Sequence, residues 1–203
     1  MKAEDTRVVT CHLGNGSSLS AVKGGRCVDT SMGLTPLEGV PMGTRCGSID
    51  PAIIPYLMGR TGMSAQEIDT YMNKKSGVLG VSGVSSDFRD LAAAAKQGNE
   101  RAALARELFC YKVRQFIGAY AATLGGVDAI VMTAGIAEND AHIRAMILRG
   151  LEYLGVDMDW EYNLACPRAT DLEITKPSSR AHVYVIPTDE EMTIARDTAA
   201  LAL

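Results

Sequence analysis

The run Ala129-Ile130-Val131-Met132-Thr133 constrains this chain more than any other segment. An unbroken apolar stretch with β-branched members marks a strand covered on both faces, as in a parallel sheet. Parallel strands need a long crossover between them, normally a helix. The flanking sequence supplies one. Glu100–Leu124 carries Leu104, Leu108, Tyr111, Phe116, Tyr120 and Leu124 at intervals of three to five, an apolar helical face. Gly125-Gly126 ends it. A helix is expected over 141–153, a second buried strand over 181–186, and a final helix behind Thr188-Asp189-Glu190-Glu191.

The N-terminal part reads differently. Three β-rich runs, over 7–13, 18–22 and 26–31, are separated by Gly14-Asn15-Gly16 and Gly24-Gly25, which predicts sequential antiparallel hairpins. A turn-rich stretch over 32–48 follows, of the length and apolar flanking that functional loops have. Asp50-Pro51 opens a helix with an N-cap and a first-turn proline. Ser64-Ala65-Gln66-Glu67 is a capping box for the next. Residues 79–86 are a glycine- and serine-rich segment, and 88–97 a short helix. The expected fold is one α/β domain with a mixed β-sheet and flanking helices.

Composition narrows the function. The 203 residues suit a single domain, and roughly 70% of the unfolded surface of such a chain becomes buried. No stretch of about 18 apolar residues is present, so no membrane span is expected. The polar first residues resemble no signal peptide. Five cysteines without a C-x-x-C read as small, reduced, buried residues rather than a zinc or thioredoxin-like site, in keeping with a cytoplasmic protein. A net charge of −4 argues against a nucleic-acid partner. Glycine contributes 20 residues, above the usual ~7%, with much of it clustered in the first half.

Three segments place glycine, serine or asparagine at the end of a strand or helix. They are His12-Leu13-Gly14-Asn15-Gly16-Ser17-Ser18, the stretch from Gly80 to Arg89, and Gly135-Ile136-Ala137-Glu138-Asn139. Successive backbone N–H groups in such turns form anion-binding concavities, and crevices at element ends hold ligands. No P-loop occurs, and Gly14-Asn15-Gly16-Ser17-Ser18-Leu19 lacks the last glycine of a dinucleotide fingerprint. Arg45, flanked by Gly43 and Gly47, suits bidentate bonds to phosphoryl oxygens, with Glu38 and Asp50 close enough in sequence to hold it. Thr188 and Glu191 have capping-box spacing, which leaves Glu190 free for a metal-bound water. His12 reads as a strand-end residue, while His142 and His182 have no partner pattern.

Taken together these strings resemble the acetate kinases. His12 to Ser18 resembles that family's phosphate loop. The stretches Asp29-Thr30-Ser31-Met32-Gly33-Leu34-Thr35-Pro36-Leu37-Glu38-Gly39 and Met42-Gly43-Thr44-Arg45 fit, in the family's order. So do Ser76 to Gly83, Ser85-Ser86-Asp87-Phe88-Arg89 and Ile186-Pro187-Thr188-Asp189-Glu190-Glu191. The resemblance implies a ribonuclease-H-like domain of the actin, sugar kinase and heat-shock ATPase type. It implies that His12, Leu13, Gly14, Asn15, Gly16, Asp87, Phe88, Arg89, Gly135, Ile136, Ala137, Glu138 and Asn139 line a nucleotide site. Arg45 would be catalytic, stabilising the transition state, and Glu190 would help hold Mg2+. ATP or ADP and acetate would be the small-molecule partners, and a homodimer is expected. Propionate is the alternative substrate, and a non-catalytic dimerising fragment the alternative role. Ala137 stands where the family has a glycine, a change that a negative φ accommodates. The family's proteins are about twice this long, so residues 1–203 resemble the C-terminal half, with the N-terminal domain absent. Such a half would bind nucleotide but turn over little acetate.

Overall fold

Helix formation over Glu100–Leu124 gives a 25-residue rod, α5, against which most of the domain packs. The Asn99 side chain accepts a bond from the N–H of Ala102 at its start, and Gly125 closes it at φ 73°. The computed structural model describes residues 2–167 and 169–202. The buried face of α5 runs through Ala102, Ala105, Phe109, Val113, Ile117, Tyr120 and Leu124. Leu104 and Tyr111, expected on the apolar face, are exposed at 54% and 52%. The face is rotated because small residues at 102 and 105 carry part of it, and a count of bulky side chains does not register alanine.

The strands are β1 (Arg7–Leu13), β2 (Ser17–Lys23), β3 (Arg26–Thr30), β4 (Ala129–Thr133), β5 (Leu172–Glu173) and β6 (His182–Val185). They form one mixed sheet in the order β3-β2-β1-β4-β6-β5. β1 and β2 pair antiparallel, with Cys11 opposite Leu19, while β4 lies parallel to both β1 and β6. This is the expected α/β arrangement. Val9, Cys11, Leu13, Leu19, Ala21, Ile130, Met132, Val183 and Val185 join the core that α5 completes. The apolar run of β4 is covered less evenly than expected: Ile130 and Met132 are buried, but Ala129, Val131 and Thr133 are half-buried. β3, at the sheet edge, is exposed throughout. Cys11 and Cys110 are buried, the latter with its thiol pushed up to about 12 by desolvation, but Cys27 lies exposed on β3, unlike the buried residue expected.

Among the helices, α1 (Ile53–Thr61) begins later than Asp50-Pro51 suggests. The Asp50 side chain accepts from the N–H of Ala52 and its carbonyl from that of Ile53, so residues 50–52 form a separate turn. The capping box of α2 (Ala65–Lys74) is formed as read. Two segments expected as loops are short helices, α3 (Gly77–Ser82) and α6 (Ala134–Asn139). α4 spans Phe88–Lys96. α7 (Ala141–Leu148) stops short of 153 because Gly150 turns the chain at φ 91°. A further helix, α8 (Trp160–Ala165), and the short β5 carry no clear sequence signal. The last helix is α9 (Glu190–Ala202). Among the described residues no helix is long and apolar enough to cross a membrane.

Arg7 locks the start of β1 to the loop before β4. Its Nε and Nη2 bond both carboxylate oxygens of Asp128, at 3.0 and 2.6 Å, and its Nη1 donates to Gly125 O at 2.8 Å. The bonds from Arg7 hold the Asp128 carboxyl below its ordinary value. A depressed carboxyl pKa stabilises the fold above the unfolded value and loses that contribution as pH falls through the folded one. Asp128→Asn should therefore destabilise the domain by about 1 kcal/mol at pH 7, the scale of a partly exposed pair. The difference in Tm from the unaltered protein should shrink below about pH 4, where the unfolded carboxyl protonates; an undiminished difference at pH 3 would refute this.

Candidate functional site

The tip of the β1–β2 hairpin is shaped by short-range bonds. Gly14 N–H donates to Gly16 O at 3.1 Å, and Ser17 Oγ to Gly14 O at 2.9 Å. Leu13 is buried in the core, His12 half-buried and Asn15 exposed. Glycines mark where side chains from other segments crowd in. A Cβ on Gly14 would lie 3.7 Å from that of Ala134, the first residue of α6. A Cβ on Gly43 would collide with Asn15 Oδ1 and stand 3.3 Å from the Cβ of Ser86. One on Gly16 would be 3.5 Å from Arg45 Nη1. The hairpin tip, the Arg45 loop, the residue before Asp87 and the start of α6 therefore meet.

The Arg45 loop is held by backbone. Met42 N–H donates to Arg45 O at 3.0 Å, Ser76 N–H to Thr44 O at 2.9 Å, and Cys46 N–H to Met72 O at 3.0 Å. The first N–H groups of α3 are taken up here too, Val78 bonding Met42 O at 2.9 Å and Leu79 bonding Gly43 O at 3.0 Å. The start of α3 is thus a brace for the arginine loop, just ahead of the stretch from Gly80 to Arg89 expected to face an anion. Its helical form follows from these tertiary acceptors and from burial of Val78. Glu38 and Asp50 do not hold Arg45: Glu38 accepts from Ser48 Oγ, and Asp50 caps its own turn. Arg45 Nη1 instead reaches Pro36 O at 3.3 Å. Among the described residues no carboxylate lies within ion-pair distance of Arg45, so a cation with bonding capacity to spare stands beside Gly16. That arrangement suits a phosphoryl group.

Asp87 caps α4 by accepting from Arg89 N–H at 2.8 Å, and the Arg89 side chain forks onto the same carboxylate, at 2.6 Å from Nη2. Those bonds lower the Asp87 carboxyl to about 2. Phe88 is buried, its ring 4.7 Å from that of Phe109, so only its backbone faces outward chemistry. In α6, Ala137 is helical and fully buried in the core, so its methyl is accommodated. Asn139 Nδ2 donates to Gly135 O at 2.9 Å, and Ile136 is half-buried. Glu138 Oε1 accepts from Thr188 N–H at 2.9 Å and from its hydroxyl at 3.3 Å. Thr188 is therefore engaged with α6 and is not the cap of α9. Asp189 takes that role, accepting from Met192 N–H at 3.2 Å. Glu191 accordingly gains no capping box, and Glu190 and Glu191 are both exposed on the first turn. The Glu138–Thr188 tie anchors the approach to Glu190 on α6. Among the described residues no group of three or more His, Cys, Asp or Glu could hold a metal. A single carboxylate such as Glu190 matches magnesium, which keeps most of its waters and takes one or two carboxylates. Gly43 and Ser86 belong to motif strings legible in the sequence, but their contact with each other and with Asn15 arises only from long-range approach.

The Acetokinase family profile matches residues 1–196. An acetate kinase of Methanosarcina barkeri is 62% identical over 195 residues, covering 96% of this chain and 47% of that protein. The crystal structure of Porphyromonas gingivalis acetate kinase is similar with a TM-score of 0.92 at 46% identity, over 98% of this chain and 50% of that one. That of a propionate kinase from Francisella tularensis gives 0.86 at 41% identity, over 95% and 48%. The chain spans about half the length of the curated relatives it matches.

Gly77 tests the brace. At φ 60° it is left-handed, and a Cβ there would run into Met42 O and Arg45 O. Gly25, at φ 74°, has nothing near its missing Cβ. Gly25→Ala should cost about 1 kcal/mol from backbone strain alone, whereas Gly77→Ala should cost about 2–4 kcal/mol, the range for disrupted buried packing. Equal losses in urea denaturation would show that the arginine loop does not depend on this contact.

Proposed function

Because the chain belongs to the acetokinase family, we propose that it is the nucleotide-binding, C-terminal half of an acetate kinase. The complete enzyme transfers phosphate from ATP to acetate, giving acetyl phosphate and ADP, and the reverse. The observation that carries this reading is Arg45, held by a braced loop beside Gly16 with no carboxylate partner among the described residues. Acetate is preferred to propionate because the acetate kinase relative is 62% identical and the propionate kinase 41%.

Phosphoryl transfer passes through a loose, metaphosphate-like state with charge on the equatorial oxygens. Catalysis is then chiefly positioning and electrostatics. Arg45 would fork onto those oxygens as their charge develops, and the braced loop spares it any reorganisation. His12 and Asn15 lie on the same hairpin tip to bond the transferring group. The loop around Gly14 and Gly16 lets backbone come close to the phosphates. Asp87 with Arg89, and Gly135 to Asn139 of α6, flank the nucleoside. Asp87 stays ionised at any working pH and can accept from a hydroxyl once Arg89 yields. Glu190, on the first turn of α9, would help hold magnesium through its water shell, and the ion would supply countercharge to the phosphates.

The half-enzyme reading is supported by α9. None of its residues is buried, and Met192, Ile194 and Leu201 are exposed at 46%, 65% and 90%, apolar surface that a second domain would cover. A homodimer is part of the proposal, supported by the fully exposed edge strand β3 and by Ile53 and Tyr56 exposed on α1. We place the enzyme in the cytoplasm.

Titration calorimetry should show this chain binding Mg-ADP weakly while forming little acetyl phosphate. Robust acetyl phosphate formation by these residues alone would overturn the half-enzyme reading. In the complete two-domain enzyme, Arg45→Ala should lower kcat on the order of 10³-fold, the scale of arginine contributions to such transfers. A loss of tenfold or less would remove Arg45 from the transition state.

A further inference from the structure

α6 is only six residues long, too short to hold itself together in water. It also starts under strain: Ala134 has φ 68°, a left-handed value that costs a non-glycine residue roughly 1–2 kcal/mol. Its conformation must come from outside. Arg144 on α7 provides the fixing. This residue is 2% exposed, and each of its five N–H donors has an acceptor. Nη1 bonds the carbonyls of Ala137 and Glu138, at 2.8 and 3.0 Å, which are the last turn of α6. Nε bonds Asn163 Oδ1 at 2.8 Å, and Nη2 bonds Asn163 O at 2.9 Å and Cys166 Sγ at 3.4 Å. Asn163, 1% exposed on α8, returns a bond from Nδ2 to Ala141 O at 3.0 Å. The guanidinium thereby pins the end of α6 to α8, leaving the helix start against Gly14 and the Glu138 side chain on Thr188.

We infer that Arg144 is a positioning residue for nucleotide binding: it touches no ligand but holds α6 in the one placement that presents Gly135 and Ile136 to the nucleotide and anchors Thr188 through Glu138. This rests on the reading that α6 lines the nucleotide site. A lysine in its place keeps the charge but cannot span α6 and α8 at once. Arg114 gives a matched control, since its side chain caps the end of α7 through Ile147 O and Met146 O without touching α6.

The test is Mg-ADP affinity by calorimetry, well below each variant's Tm, with hydrogen exchange read over residues 135–140. Arg144→Lys should weaken Mg-ADP about tenfold or more and speed exchange at the end of α6. Arg114→Lys should lower Tm yet leave affinity within twofold. Unchanged affinity in Arg144→Lys, or an equal loss in Arg114→Lys, would overturn the positioning role. Should Arg144→Lys not fold, Asn163→Ala takes its place with the same expectation. If that also fails, exchange in the unaltered protein decides: α6 amides as slow as those of α7 before nucleotide is added support preorganisation, and amides as fast as those of exposed β3 refute it. Absence of Mg-ADP binding by the unaltered chain would overturn the functional reading itself, an outcome distinct from binding that Arg144→Lys leaves intact.

Discussion

Arginines from elsewhere in the chain satisfy the carbonyl groups at the ends of four helices and so fix how those helices end against the core. α3, α5, α6 and α7 carry no basic residue in their last turn. A helix C-terminus leaves carbonyls unpaired and bears partial negative charge. Arg101 bonds the carbonyls of Gly80 and Val81 at the end of α3, and Arg7 that of Gly125 beyond α5. Arg114 serves α7 and Arg144 serves α6. Each bond is also a tertiary link, so helix termination and packing are one event. A guanidinium suits this because its fork reaches two acceptors in fixed geometry.

The candidate site inherits that rigidity. Its four parts come from chain segments far apart in sequence, and both backbone and side-chain bonds fix them in place. The arginine loop is braced by α3, which Arg101 anchors. The third segment is a short strained helix that Arg144 anchors. Arg45 is left with charge to direct at a ligand because its loop is held without a carboxylate. Rigid placement matters most for phosphoryl transfer, where the protein contributes position and field more than covalent chemistry.

Several elements were legible locally. Asn-Gly and Gly-Gly turns set the hairpins, Ser64 with Glu67 set the start of α2, and Gly125 the end of α5. The motif strings around His12, Arg45 and Gly135 stood out by composition and order. The errors share a cause. α3 and α6 looked like loops because of their glycines, yet distant groups draw them into turns of helix: the carbonyls of Met42 and Gly43 accept from α3, and Arg144 donates to the carbonyls of α6. Thr188 had the spacing of a cap but found a better partner in Glu138, fifty residues away in sequence. Glu38 and Asp50 were near Arg45 along the chain but bonded elsewhere.

By itself the sequence determined where most strands and helices lie and the mixed character of the sheet. These depend on periodicity, caps and turns, which act over a few residues. Tertiary structure alone decided which face of α5 is buried, that Gly43 must yield space to Asn15, which arginines serve as clamps, and that Arg45 has no carboxylate partner among the described residues. Those outcomes depend on bonds between groups tens of residues apart, and such bonds leave no local pattern in the chain.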